Sequence, residues 1–93
     1  MYAMVAKVQI DPTRADDAVE LLHSFTVPMV KQLPGFVSGT WVRATDSSHG
    51  QSLVLFENEE SAKAAAERAA QGPPPGAPVT FVSAEVFEVM AQA

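Results

Sequence analysis

The chain of 93 residues contains no cysteine. Neither disulfides nor thiolate metal ligands can therefore supplement its core. Basic residues are few: 6 Lys and Arg stand against 11 Asp and Glu, for a formal net charge of −5. No Lys/Arg cluster overrides that average, so a nucleic acid or an anionic membrane would be repelled. No apolar run approaches the roughly 18 residues that a membrane-spanning helix needs. Residues 1–10 alternate, with Lys7 interrupting, and do not form the continuous apolar stretch of a signal peptide. A soluble cytoplasmic protein is the default expectation. Two histidines, His23 and His49, have no metal-ligand spacing between them, and there is no Gly-rich phosphate loop. The motifs call for no metal and no other cofactor.

What is abundant is apolar surface. Hydrophobic residues make up 47% of the sequence. A domain of this size buries only about 60–65% of the surface its unfolded chain exposes. The excess needs cover, and a subunit interface is the simplest place for it.

The spacing of apolar residues reads as one domain over 1–93. Residues 2–10, YAMVAKVQI, alternate as a strand, with Tyr2, Met4, Ala6, Val8 and Ile10 on one face. Asp11 and Pro12 form a helix start, the first as N-cap and the second where a missing N–H costs nothing. A helix over 12–32 gathers Ala15, Ala18, Val19, Leu22, Phe25 and Met29 in one stripe, and Pro28 predicts a kink near Thr26–Val27. Leu33-Pro34-Gly35 ends it. Strands over 36–44 and 51–57 flank the polar turn 45–50 and form an antiparallel hairpin. Asn58 caps a second helix over about 59–70, whose buried stripe is Ala62, Ala65, Ala66 and Ala69. A proline-rich connection, 71–78, leads to a last strand over 79–89.

The order is βαββαβ, an α+β ferredoxin-like arrangement: a four-stranded antiparallel sheet with two helices on one face. The strands are apolar on both sides, and no element is left for the second face. Packing that face on a second copy of the chain, as a homodimer, is the consistent solution.

The run LPGFVSGTW (Leu33–Trp41), the segment LVLFENEESAKAAAE (Leu53–Glu67) and the element order together resemble the dimeric α/β-barrel superfamily, specifically its antibiotic-biosynthesis-monooxygenase-like domains. The resemblance implies a homodimer with a pocket in each subunit between helices and sheet. That superfamily includes cofactor-independent quinone-forming monooxygenases, heme-degrading enzymes and aldehyde- or peroxide-handling members. Its heme-degrading and polyketide-oxidising members use an Asn that the first strand here lacks; Gln9 is the nearest amide.

Three residues are candidates for catalysis. His23 borders the apolar stripe of the first helix, where it would serve as a general base or simply sit half exposed at the boundary. Trp41 and Arg43 share a strand face with Val37 and Gly39. They read either as an aromatic wall and a cation for an anionic or phenolic ligand, or as dimer-core residues with Arg43 paired at the rim. Gly39, mid-strand, marks a bulge or a close contact with a neighbouring ring. His49, in the 45–50 turn, reads as a solvated loop histidine. Two functions stay open. One is a cofactor-independent monooxygenase acting on a phenol- or hydroquinone-type metabolite, with His23 as base, Trp41 as wall and Arg43 as charge stabiliser. The other is a non-catalytic dimeric module that binds an apolar ligand or serves a stress response.

Overall fold

The computed structural model describes residues 1–93. Four strands, β1 (Tyr2–Ile10), β2 (Phe36–Arg43), β3 (His49–Phe56) and β4 (Val79–Glu88), form one sheet in the order β2-β3-β1-β4. Every neighbouring pair is antiparallel. The helical segments lie on one face of this sheet, which is the expected ferredoxin-like arrangement.

The first crossover is not the single helix that the spacing predicts. Asp11 accepts a hydrogen bond from the Thr13 amide and starts a short 3₁₀ turn, Pro12–Arg14. Then follow α1 (Ala15–Leu21), a π-helical turn over Leu22–Thr26, and α2 (Val27–Lys31). The kink expected from Pro28 is this π turn. Pro28 has no N–H to give the Ser24 carbonyl, and its ring would collide with that carbonyl in a regular helix. A five-residue turn, seen in the Val27 amide donating to the Leu22 carbonyl, widens the coil upstream. The Ser24 hydroxyl donates back to the Glu20 carbonyl at 2.8 Å and relieves the same region. Pro28 then falls in the first turn of α2, where it is tolerated.

The second helix of the pattern, α3 (Glu59–Ala70), begins where expected. The Asn58 side chain accepts from the Ser61 amide at 2.9 Å, and Lys63 pairs with Glu59 at 3.6 Å. Ala62 and Ala65 are buried, so the helix sits close to the sheet. Gly35 (φ +76) turns the chain from α2 into β2 and accepts from the Glu57 amide. A side chain there would meet Ser61 Oγ at 2.6 Å.

Two extra residues interrupt the ladder. Val37 is bulged on β2 against β3, and Val82 on β4 against β1. The first bulge corrects an expectation. Strict alternation groups Val37 with Gly39, Trp41 and Arg43; instead Phe36, in register with Phe56, takes the helix-side face. The hairpin is also tighter than expected. Ser48 donates to Asp46 through both its amide and its hydroxyl, and Ser47 adopts φ 63. The turn therefore closes early, and β3 begins at His49, which pairs with Gln9. His49 is a strand residue and not a loop residue.

Met4, Ala6, Val30, Val54, Phe56, Ala62 and Ala65 form the core between sheet and helices. Phe36 meets Phe56 edge-on, with ring centroids 6.5 Å apart. Only 13 residues are buried, few for a chain this apolar. The accessible surface is 5911 Å², whereas a compact 9.9 kDa monomer exposes about 5200 Å². On the sheet face away from the helices, Val42, Leu53 and Phe87 are 57%, 47% and 48% exposed. No helix is long and apolar enough to cross a membrane.

Candidate active site

Between the helical layer and the sheet lies a cleft of about 780 Å³. Its floor is the helix-side face of the sheet: Met4, Ala6, Val8 and Ile10 from β1, Val54 from β3, Val79 and Phe81 from β4. The alanines of α3 explain why there is room. Ala65 and Ala69 hold the helix near the sheet without filling the space between them. One wall is the bent crossover, with Leu22, Phe25, Val27 and Met29. At the mouth are Gln71, Gly72, Pro73 and Pro74 of the proline-rich connection. The Arg14 guanidinium anchors that connection by donating to the Gly76 carbonyl at 2.9 Å.

All three sequence candidates line this cleft. His23 comes from the π turn. Trp41 and Arg43 come from β2, on the same face as Gly39. Trp41 also packs against the core cluster, so it faces the helices and not the open side of the sheet. Its assignment to a sheet-to-sheet interface does not fit this position. Arg43 belongs to neither of the chain's two ion pairs, Arg14–Asp17 and Lys63–Glu59.

Sequence reasoning missed Arg68. It stands in the last turn of α3, where a cation is explained by the helix dipole alone. Its guanidinium donates instead to the thioether of Met29 at 3.5 Å, which brings it to the cleft wall opposite the sheet. Nothing in the local pattern signals that reach, because Met29 is 39 residues away. Gln9, the amide nearest in type to the family's first-strand Asn, lies outside the cleft; its register partner is His49.

The groups with shifted proton affinities lie elsewhere. The Glu88 carboxylate, with Glu59 behind it, pushes the Tyr2 phenol up. Hydrogen bonds from Thr13 hold Asp11 below the usual carboxylate range, and those from Ser48 do the same for Asp46. Nowhere do three His, Asp or Glu side chains converge in a way that could hold a metal ion.

No curated protein matches the chain. Solved structures do, over nearly its whole length. HapK from Hahella chejuensis superposes with a TM-score of 0.71 at 13% identity, covering 100% of this chain and 96% of that one. The ActVA-Orf6 monooxygenase of Streptomyces coelicolor, in complex with nanaomycin D, gives 0.65 at 20% identity, covering 99% and 89%. SnoaB, a cofactor-independent oxygenase from Streptomyces nogalater, gives 0.61 at 16% identity, covering 98% and 94%. At these identities the likeness is one of fold. The sequence itself carries the assignment: the family model for antibiotic biosynthesis monooxygenase matches residues 1–72, from β1 through α3. The chain belongs to the antibiotic biosynthesis monooxygenase family.

Proposed function

We propose that this chain is a cofactor-independent monooxygenase that oxidises a small electron-rich phenol or hydroquinone-type metabolite, and that it works as a homodimer joined through the open sheet face. One observation supports the reading: His23, Trp41 and Arg43, an imidazole, an indole and a guanidinium, all line one largely apolar cleft. SnoaB, of the same fold, is a cofactor-independent oxygenase and supports it by analogy.

The chemistry follows from the parts. His23 takes the phenol proton, and the resulting anion is electron-rich enough to reduce O₂ directly. Arg43 stabilises the oxyanion by its charge and its hydrogen-bond donors. The substrate supplies all the electrons. One oxygen atom becomes the new quinone carbonyl, and the other leaves as water with the ring C–H hydrogen that is lost and the phenol proton that His23 took. Trp41 holds the ring flat against the sheet.

The binding-module alternative predicts Trp41 inside a packed interface. Its place in the cleft favours the enzyme reading.

The test is oxygen uptake by dialysed, chelator-treated protein given an electron-rich polycyclic phenol. Quinone formation matched to oxygen consumed is expected, and His23→Ala should abolish it. Unchanged turnover in His23→Ala removes that residue from the mechanism. No turnover of any phenol by the native chain sinks the enzyme reading.

A further inference from the structure

The ionisable side chains that line the cleft are His23, Arg43 and Arg68; no carboxylate does. In a chain with 11 acids and 6 Lys and Arg, that separation is unexpected from composition. Two of the other cations are engaged, Arg14 with Asp17 and Lys63 with Glu59. Arg43 and Arg68 are in no ion pair, and both border the same apolar space. Arg68 is the more telling. Arg68 stands solvent-exposed at the edge of the cleft, where a ligand entering it would meet the guanidinium. It reaches Met29 on α2, and a thioether is a weak acceptor that leaves most of the five guanidinium donors free.

This inference rests on the cleft being the substrate site, as argued above. There the anion formed on the phenol oxygen occupies Arg43. Arg68, on a different element and exposed at the cleft's edge, is in no ion pair and stays free to take a second anionic group. We propose that the substrate carries a permanent acid group, a carboxylate set apart from the reacting phenol on its apolar body. Arg68 is the residue that selects it. The planar guanidinium matches a carboxylate in a two-point hydrogen bond, which the neutral polar groups of the lining, such as Thr26, Ser52 and Gln71, do not match in charge.

Trp41, the only tryptophan, supplies the readout from within the cleft. Quenching of its fluorescence is titrated with two probes of one skeleton, anilinonaphthalene sulfonate and the uncharged phenylnaphthylamine. The native chain should prefer the anionic probe by roughly tenfold or more, the worth of a charge-assisted hydrogen bond. In Arg68→Gln the ratio of the two affinities should fall to within about threefold. Arg68→Lys should keep most of the preference, since the charge stays. A native circular dichroism spectrum and cooperative thermal unfolding are required of each variant, since a loosened chain binds the anionic probe on its exposed apolar surface. Equal affinities in the native chain, no binding of either probe, or a preference that survives Arg68→Gln overturns the proposal. Oxygen uptake with a neutral phenol is scored separately. Turnover without charge preference defeats only the acid-group inference, and charge preference without turnover defeats only the enzyme reading.

Discussion

The indole of Trp41 fills the space that a side chain on Gly39 would need. A β-carbon at position 39 would lie 2.6 Å from Cη2 and 2.7 Å from Cζ3 of that ring. The two residues follow the same side of β2, and the glycine lets the ring lie down along the strand instead of standing into the cleft. The glycine is required by this contact and not by the nearby bulge, which falls at Val37.

Gly39→Ala should therefore push Trp41 off its seat. Overpacking of this kind costs about 1–3 kcal/mol. Urea denaturation should show that loss, and the tryptophan emission should shift in the folded state. Native-like emission with native stability would show that the ring has another place to go.

Phe56 is fully buried in the core and meets Phe36 edge-on. Phe56→Ala should cost about 3–5 kcal/mol. Against a total stability of about 5–15 kcal/mol, that loss leaves a small domain close to unfolding at 37 °C. Phe56→Leu should lose clearly less. Equal losses for the two variants would mean that the ring–ring contact and the cavity contribute nothing.

The open sheet face carries Val42, Leu53 and Phe87, all substantially exposed, beside the buried Ala3 and Leu55. Sedimentation of the native chain at micromolar concentration should give a dimer. Leu53→Glu with Phe87→Glu should give a monomer with an unchanged circular dichroism spectrum, because neither side chain belongs to the helix-side core. A native chain that sediments as a monomer would remove the proposed assembly.

Acid stability should depend on the two turn aspartates. Thr13 and Ser48 hold Asp11 and Asp46 below the usual carboxylate range. Each carboxyl gives up its proton more readily in the folded chain than in the unfolded one. The stabilisation is therefore present above the unfolded-state value and is lost as pH falls through the folded-state value. Asp11→Asn with Asp46→Asn should flatten the fall in Tm between about pH 5 and pH 2. Both groups are fully exposed, so the effect should be small and weaken with salt. A Tm profile that is unchanged by the double substitution would mean that the hydrogen bonds persist without charge.

Much of the candidate site was legible one residue at a time, but its convergence was not. His23 stood out for its place beside the apolar stripe, and Trp41 and Arg43 for their shared strand face. That all three border one cleft depends on how far α3 stands from the sheet, a distance set by Ala62 and Ala65. Arg68 gave no local signal, because the contact that ties it to the cleft wall is with Met29, which is distant in sequence. His49 was misplaced because the turn closes early through Asp46 and Ser48, and this pulls it into β3.

Local sequence sets the four strands and two helical crossovers in their order, the bend before Pro28, and the caps at Asp11 and Asn58. These depend on side-chain periodicity and on hydrogen bonds spanning two or three residues, so neighbours along the chain suffice. Folding as a whole decided the bulges at Val37 and Val82, the face that Phe36 takes, and the placing of two unpaired guanidiniums on one largely apolar cleft. Each of these is a compromise between elements that touch only after folding, where fit across the interior outweighs local preference.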